Sequence, residues 1–404
     1  MKTRDSYAMH LVIVSPYPPS ITGIGQYGYH VSRILAQSGV FARITLLTGA
    51  APVAGALATP APLQIEATWQ PGSVVTGWKI ARRLQVLSPD VVWFNLGVSV
   101  FGRSPLANLS GFFSPFCARR MGIPTVVTLH ELVELADLQT LSAPGGPFAV
   151  YGARLLTHIG LQADVVCLTM QRYADWLAAR QPDLPFMHIP IGAYHTPELL
   201  PCPANGTQEL LFFTTLAPFK GLEVLLEAFR ALRPCYPGLH LTIAGAEHAR
   251  FPGYARQLHE KYHGLAGIRW LGQVPEEQVR ELFRHAQIVT LPYDASTGSS
   301  SILYQAATWG RPVVTSDLPE TQVIVSEGGL DVTFFERGNT ASLAKAIRAQ
   351  LDSPDLQRRQ VKNNFVAIQR NRPENTCRAY LKAFDLALET RRSPNRIVIA
   401  PEIS

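Results

Sequence analysis

A short apolar run followed by a segment of helical periodicity recurs along most of this chain, and this alternation limits the folds it can adopt. The runs at residues 11–14 (LVIV), 91–94 (VVWF) and 165–168 (VVCL) are apolar at every position. A strand that is apolar on both faces has to be covered on both sides by helices, which is typical of parallel sheets. The pattern therefore predicts an α/β fold with doubly wound parallel sheets.

The alternation is interrupted at residues 194–208, where YHTPELLPCPANGTQ contains three prolines and an Asn-Gly pair. A chain of 404 residues is long enough for two domains. We expect an N-terminal Rossmann-like domain over 1–195, a linker over 196–208 and a C-terminal Rossmann-like domain over 209–380. A helix end and a loose tail follow over 381–404. The two domains are expected to face a central cleft, because ligands of open α/β sheets bind at the carboxyl ends of the strands.

Composition and cysteine spacing exclude several classes of protein. The basic runs are short and are not interleaved with aromatic residues, although the net charge is +6, so nucleic acid is not expected as a partner. The five cysteines are scattered without a Cys-x-x-Cys pair, which argues against a zinc site and fits a reducing compartment. No apolar run reaches the ~18 residues of a transmembrane helix. We therefore expect a cytoplasmic protein, with an association at the inner face of the membrane left open.

The run GIGQYG at residues 23–28 matches the Gly-x-Gly-x-x-Gly pattern of dinucleotide sites. Two observations argue against an NAD-dependent enzyme. The run does not follow its strand directly, and residues 44–52 contain no acidic residue to hold a ribose. Gly23 and Gly25 then either open a helix with no ligand, or present backbone N–H groups to an anion at the helix N-terminus.

Three further places carry candidate functional groups. His130 directly follows a predicted strand, where it either contacts a sugar hydroxyl or caps the strand. Lys220 precedes a predicted helix, an unfavourable place for a cation unless an anion binds there; the alternative is an exposed lysine. The loop of Thr297, Gly298, Ser299, Ser300 and Ser301 suits phosphate binding by backbone amides and hydroxyls, or is a polar loop without a ligand.

Seven segments in the same order resemble the retaining glycosyltransferases of family 4, which have the GT-B fold. They are SPYPPSITGIGQY, TVVTLHE, HIPIGAY, TTLAPFKGLEVLLEAF, LTIAGAE, IRWLGQVPEEQVRELFRHAQIVTLPY and ILYQAATWGRPVVTSDLPE. The resemblance implies a hexosyltransferase (EC 2.4) that moves a sugar from a UDP- or GDP-linked donor with retention of anomeric configuration. The acceptor is a glycan, a lipid-linked molecule or a small molecule, as in the synthesis of cell-envelope polysaccharides. Neither a metal nor another cofactor is implied.

The resemblance also implies roles for individual residues. Lys220 matches the lysine that contacts the donor diphosphate, and His130 matches a histidine close to the transferred sugar. Gly23 and Gly25 match the N-terminal loop over the diphosphate and acceptor. The remaining donor-binding positions are Thr297, Gly298, Ser299, Ser300, Ser301, Gln305 and Glu320.

The chain departs from the family pattern at three positions. The family carries two glutamates eight positions apart, and this sequence has Thr297 and Gln305 there. The arginine that accompanies the lysine is replaced by Thr215, so that Arg311 and Arg337 are candidates for its charge. These losses favour an alternative, a catalytically weak or silent GT-B protein that binds a nucleotide sugar or a partner glycosyltransferase.

Residues 110–122 combine three phenylalanines with Arg119 and Arg120. An apolar and basic segment of this kind is compatible with peripheral contact with an anionic membrane. A helix end packed into the core explains the same residues.

Overall fold

The computed structural model describes residues 9–18, 22–49, 59–132, 135, 147–201, 208–296 and 298–392. The chain divides into two compact units. The N-terminal unit comprises Met1–Ala136, Pro144–Tyr194 and Pro373–Ser404, and the C-terminal unit comprises Asp137–Ala143 and His195–Arg372. The interruption near residue 195 therefore does mark a boundary between units.

The N-terminal unit is built on a parallel sheet in the order β3-β2-β1-β4-β5-β6-β7. Its strands are β1 (Met9–Val14), β2 (Phe41–Thr48), β3 (Leu63–Ala67), β4 (Val91–Leu96), β5 (Thr125–Leu129), β6 (Val165–Leu168) and β7 (Phe186–His188). Val12 pairs with Thr45 on one side and Val92 on the other, so β1 lies in the interior of the sheet. The strands β4, β5 and β6 are buried along their whole lengths, as their uninterrupted apolar runs predict.

In the described part of this unit there are seven α-helices. They are α1 (Gly23–Gln37), α2 (Thr76–Leu87), α3 (Pro105–Phe112), α4 (Ser114–Arg120), α5 (Pro147–Gly160), α6 (Gln171–Ala178) and, from the end of the chain, α14 (Pro373–Arg392). Helix α1 begins at Gly23, because the Thr22 side chain accepts a hydrogen bond from the Gly25 amide and caps the first turn.

The C-terminal unit has a second parallel sheet in the order β10-β9-β8-β11-β12-β13. Its strands are β8 (Gln208–Phe213), β9 (Leu239–Ala244), β10 (Ile268–Gly272), β11 (Ile288–Leu291), β12 (Val313–Ser316) and β13 (Thr333–Phe335). Its helices are α7 (Leu222–Leu232), α8 (Tyr254–Lys261), α9 (Glu276–His285), α10 (Ser301–Thr308), α11 (Pro319–Gly328), α12 (Thr340–Asp352) and α13 (Pro354–Ile368). Both units therefore have the Rossmann-like architecture that the alternating pattern predicts.

The C-terminal helix differs from the expected division at residue 380. Helix α14 packs on the first sheet, and the C-terminal unit ends at Arg372. The Tyr380 hydroxyl lies 2.8 Å from both the Tyr27 hydroxyl and Thr128 Oγ1, and the Arg391 guanidinium donates to buried Asp164 at 2.9 Å. The amphipathic pattern of α14 reveals a buried face, but it does not reveal which sheet that face covers. The tail 393–404 and most of the expected linker lie outside the described residues.

Parallel pairing places the carboxyl ends of neighbouring strands at one edge of each sheet. In the N-terminal unit this edge carries the residues after β1, β4 and β5. In the C-terminal unit it carries the residues after β8, β9, β11 and β12. Among the described residues, no helix is both long enough and apolar enough to cross a membrane.

Candidate functional site

Three strand ends of the N-terminal unit carry side chains that hydrogen bonds join together. Ser15 follows β1, Asn95 lies near the end of β4, and His130 follows β5. The Asn95 amide nitrogen donates to the Ser15 hydroxyl at 2.9 Å and to the Ile24 carbonyl at 3.0 Å. His130 Nε2 lies 2.6 Å from Asn95 Oδ1. The site of His130 is therefore tied to β1 and to the first turn of α1.

These hydrogen bonds decide which ring nitrogen of His130 carries the proton. The Ser15 hydroxyl donates to the Pro16 carbonyl at 2.7 Å, so it accepts from Asn95. Both amide protons of Asn95 are thereby used, and its oxygen accepts the proton of His130 Nε2. Burial lowers the pKa of His130 to about 3, because water no longer stabilises the charged ring. His130 is therefore neutral and keeps a lone pair on Nδ1.

The Tyr27 ring contacts His130 from the side. The two ring centroids are 4.8 Å apart in an edge-on arrangement, and the Tyr27 hydroxyl is hydrogen-bonded to Tyr380. Tyr27 and Asn95 together hold the imidazole in one orientation. The structure thus confirms that His130 lies at a strand's carboxyl end, and it shows that the ring is held by more than the strand.

The glycines of GIGQYG have three different environments. Gly23 is exposed and begins α1, and the Gly25 N–H is already used by the Thr22 cap. A Cβ at Gly28 would lie 2.1 Å from Ser15 Oγ, so this glycine lets α1 approach the end of β1. Among the described residues, the first-turn N–H groups of Gly23 and Ile24 have no hydrogen-bond partner, and they lie beside the Asn95 network. The predicted loop at Gly23 and Gly25 is therefore the first turn of a helix, and the Gly25 amide is not available to a ligand because it donates to Thr22.

Lys220 ends a short 3-10 turn that follows β8. Its ammonium nitrogen lies 3.9 Å from the centroid of the Tyr293 ring and 5.7 Å from that of Phe219. Gly221 has φ +68°, and a Cβ there would lie 1.7 Å from the Pro292 carbonyl oxygen. Only glycine fits this close approach, which brings the turn against the end of β11. Lys220 is therefore placed at the amino end of α7 beside the end of a second strand.

Tyr293 joins this turn to the serine-rich loop. Burial raises the pKa of its phenol to about 12, and the nearby side chains of Thr214 and Ser300 partly offset this effect. Ser300 occupies the N-cap position of α10, but its side chain makes no capping hydrogen bond. The Ser299 hydroxyl is buried and, within the described part of the chain, has no hydrogen-bond partner. The uncapped N-terminus of α10 thus lies next to the Ser299 hydroxyl in the sequence.

The other predicted donor-binding residues take different positions. Gly298 accepts a hydrogen bond from Ser296 at 2.9 Å, and Ser301 is the first residue of α10. Gln305 is buried in the same helix. Glu320 lies in the first turn of α11, after β12. Thr297 lies outside the described residues.

The two arginines proposed to replace the missing cation behave differently. Arg311 is 2% exposed, and its guanidinium donates to backbone carbonyls, among them that of Phe283 at 2.7 Å and that of Pro201 at 2.7 Å. Arg311 is a structural residue, so the prediction that its charge replaces the arginine missing at Thr215 is wrong. Arg337 follows β13, and its Nη1 donates to the Asp294 carbonyl at 3.3 Å. Its positive charge partly offsets the burial that raises the pKa of Asp294.

A groove of about 560 Å³ opens at the carboxyl ends of β9 and β10. Ile243 and Trp270 supply apolar walls, and Gly245 and Gly272 leave room beside them. The carboxylate of Glu247, also on the groove, accepts from the backbone N–H groups of the loop after it, and these bonds lower its pKa. The groove therefore has an apolar wall and a fixed carboxylate.

Sequence reasoning missed Ser15, Asn95 and Tyr293. Asn95 is a polar residue within the apolar run VVWFNL, and this is the one signal that marks a polar side chain at a strand end. Tyr293 looks like an ordinary core aromatic in LPY, and only its contacts with Lys220 and Ser300 separate it from one.

Part of the chain is similar to known proteins. The sequence model of the family Glycosyl transferases group 1 matches residues 207–353. Phosphatidyl-myo-inositol mannosyltransferase of Mycobacterium leprae (strain TN) is 30% identical over 175 residues, which are 43% of this chain and 45% of that protein. Glycogen synthase of Mycobacterium tuberculosis (strain ATCC 25618 / H37Rv) is 30% identical over 160 residues, 40% of this chain and 38% of that protein. The chain thus spans less than half the length of these curated relatives.

Solved structures resemble the chain over most of its length. Anabaena HepE, in complex with UDP and glucose, has a TM-score of 0.70 at 16% identity and covers 93% of this chain and 99% of its own. Sucrose-phosphate synthase of Thermosynechococcus elongatus has a TM-score of 0.71 at 15% identity, with 95% and 100% covered. At these identities the likeness shows the fold alone. Residues 207–353 thus resemble the glycosyl transferases group 1 family, and the chain has the GT-B fold that the resemblance implies.

Proposed function

We propose that this chain is a glycosyltransferase that moves a hexose from a nucleotide-diphosphate sugar to an acceptor. One observation carries the proposal. Lys220 and the uncapped N-terminus of α10 lie beside Tyr293, inside the stretch that matches the family. The hydroxyl of the adjacent residue, Ser299, is buried and has no hydrogen-bond partner among the described residues. A cation, a free hydroxyl and open backbone amides together favour a phosphate group.

The donor binds to the C-terminal unit in this proposal. The diphosphate contacts Lys220 and the amides of Gly298, Ser299, Ser300 and Ser301. The nucleoside of the UDP- or GDP-linked donor lies in the groove after β9 and β10, with its base against Ile243 and Trp270. The Glu247 carboxylate, already fixed by backbone amides, accepts hydrogen bonds from the ribose hydroxyls. Gln305 and Glu320 supply further polar contacts.

The reaction develops negative charge on the departing diphosphate. Lys220 and the amide dipoles are in place before the charge forms, and such a preorganised arrangement stabilises a transition state. We propose that no metal or other cofactor is needed and that the anomeric configuration is retained. His130 accepts a hydrogen bond from a hydroxyl of the transferred sugar through Nδ1, since Nε2 donates to Asn95.

The N-terminal unit recognises the acceptor, a glycan, a lipid-linked molecule or a small molecule. The open N–H groups of Gly23 and Ile24 are placed to meet an anionic group of the donor or acceptor. We propose that the protein works in the cytoplasm, at the inner face of the membrane, in cell-envelope polysaccharide synthesis.

Thermal unfolding with UDP, GDP, ADP and CMP tests donor binding. A nucleotide at a hundred times its Kd should stabilise the protein by about 2.7 kcal/mol. Lys220→Ala should abolish this shift, while Lys345→Ala, an exposed lysine on α12, should keep it. An equal shift for both variants would contradict the assigned phosphate site.

Turnover tests the reaction itself. Release of the nucleoside diphosphate from the matching sugar donor should continue in EDTA, and NMR of the product should show the anomeric configuration of the donor. His130→Ala should keep the nucleotide shift and lose transfer. Inversion, or loss of activity in EDTA, would contradict the proposed mechanism.

A silent GT-B protein is the second candidate. The observation that favours it is the burial of Arg311 among carbonyls, because this leaves the cation missing at Thr215 without that replacement. This candidate predicts a thermal shift with a nucleotide, no turnover with any sugar donor, and recovery of activity only with a partner glycosyltransferase.

A further inference from the structure

Four helices of the N-terminal unit contain no acidic residue. Helices α2, α3, α4 and α5 contact one another. The sequence contains no Asp or Glu in residues 67–89, 91–130 and 138–163, which include all four helices. Exposed apolar side chains nevertheless lie on α2, α3 and α5 and at both ends of α4, and most of the exposed large apolar side chains in the described residues lie on or beside these helices. We call this the acid-free face.

Helix α2 presents a continuous outward stripe to this face. Val75, Trp78, Arg82 and Val86 recur at helical spacing and are all exposed. Trp78 is 60% exposed and Val86 is 67% exposed, whereas Ile80 on the opposite side is fully buried. The Arg82 guanidinium lies 5.4 Å from the Trp78 ring centroid. An apolar stripe that carries a cation is thus turned to solvent.

The junction of α3 and α4 extends the stripe. A Cβ at Gly77 would lie 2.1 Å from the Ser110 carbonyl oxygen, so the start of α2 touches the last turn of α3. Phe113, 45% exposed, lies one helical turn beyond Ser110 and contacts Phe116 at 5.0 Å between ring centroids. Phe112 is buried, so only part of the predicted segment 110–122 reaches the surface.

The basic side chains of the acid-free face are of two kinds. Arg83 pairs with Glu66 at 2.7 Å and Arg119 with buried Asp164 at 3.3 Å, so these two are partly neutralised. Lys79, Arg82 and Arg120 have no ion pair within the part of the chain that the structure describes. The face therefore combines exposed aromatic and aliphatic groups with uncompensated positive charge.

We propose that the acid-free face docks on an anionic lipid bilayer. Trp78 and Phe113 enter the boundary between headgroups and acyl chains, which large aromatic rings favour. Lys79, Arg82 and Arg120 then lie at the depth of the phosphates, where each basic residue adds to the attraction of an anionic leaflet. The absence of acidic residues from three long stretches removes the repulsion that such a leaflet would impose.

This proposal deepens the membrane contact of the proposed function, but its test does not depend on sugar transfer. Flotation of the purified full chain with vesicles of phosphatidylcholine, with and without phosphatidylglycerol, measures docking directly. The wild type should float with the anionic vesicles at low salt and release at high salt. With brominated phosphatidylglycerol, tryptophan fluorescence should be quenched, and Trp78→Phe should remove most of this quenching.

Variants separate the contribution of the basic side chains from that of the aromatic side chains. Arg82→Glu with Arg120→Glu should lower the vesicle partition coefficient by at least roughly tenfold. Trp78→Ala with Phe113→Ala should lower it at every salt concentration. The matched control, Lys345→Glu with Arg348→Glu on exposed positions of α12, should bind like the wild type. All substituted side chains are exposed, so circular dichroism and thermal midpoints should stay unchanged.

Three results would overturn the proposal. Absence of flotation with anionic vesicles is the first. An equal loss of binding in the α12 control is the second, because it would indicate a general charge effect. The third is binding that follows charge alone and is matched by a soluble acidic polymer, since the partner would then be a polyanion and no side chain would enter a bilayer. Loss of nucleotide binding with intact flotation would contradict the proposed function and leave this proposal standing.

Discussion

Replacing His130 by glutamine tests whether this buried histidine, bonded to Asn95, is neutral in the folded protein. Burial lowers its folded-state pKa from 6.5 to about 3. The unfolded chain, with the ordinary pKa of 6.5, therefore takes up a proton first as the pH falls. The stability associated with the neutral ring is fully present above the unfolded pKa and is lost progressively as the pH falls from about 6.5 towards 3.

The magnitude follows from the two pKa values. Between about pH 7 and pH 5, protonation of this one residue in the unfolded state should lower the free energy of unfolding by about 2 kcal/mol. The glutamine variant lacks the titrating group and should lose about 2 kcal/mol less over the same interval. Glutamine keeps an N–H donor for Asn95, so the fold should persist. His10, whose pKa burial also lowers, is present in both proteins and cancels in the comparison.

Urea unfolding at a series of pH values measures the difference. Leu129→Ala, at the end of the same strand, is the control: it should cost about 2–5 kcal/mol at every pH and leave the pH slope unchanged. A difference between wild type and His130→Gln that does not change with pH would refute the reasoning. It would mean that the ring titrates in the folded protein as it does in the unfolded chain.

Three further predictions concern residues that hold turns and helices of the two units in place. Gly221→Ala should abolish the thermal shift with nucleotide, because a Cβ would meet the Pro292 carbonyl and displace the Lys220 turn; an unchanged shift would contradict this. Arg311→Met should lower the free energy of unfolding by about 3 kcal/mol or more in urea unfolding, since it leaves several buried carbonyls without a donor; a change below about 1 kcal/mol would show that they have other donors. Tyr380→Phe should cost about 1–3 kcal/mol, measured in the same way, because it leaves two buried hydroxyls without their common partner; a neutral effect would place the C-terminal helix elsewhere.

Much of the architecture could be read from local patterns. The strand at 165–168 has the bounds of the apolar run that predicted it, and the runs at 11–14 and 91–94 lie within strands that are two residues longer. The short strand Phe186–His188 was missed, since its three residues are too few to show a periodicity. The first helix begins at Gly23 because the Thr22 side chain caps it.

The candidate sites show what local sequence patterns cannot predict. His130 could be found because it directly follows a predicted strand, and Lys220 because a cation is unfavourable at the amino end of a helix. Asn95 and Tyr293 could not, because their roles depend on strands distant in the chain: β4 beside β1 and β5, and β11 beside β8. The same limit made Arg311 look available as a cation, although it is surrounded by carbonyls from residues up to 111 positions away.

The alternation of apolar runs and helical segments was enough to determine two parallel α/β units, the interruption near residue 195 and the order of the elements, because these depend on which faces of each segment must be buried. The tertiary structure decided which sheet receives Pro373–Arg392, which side chains converge at the carboxyl ends of the strands, and that α2, α3, α4 and α5 bring three acid-free stretches onto one surface. Strand order and helix packing bring together residues far apart in sequence, and a local pattern carries no information about which distant segment will lie beside it.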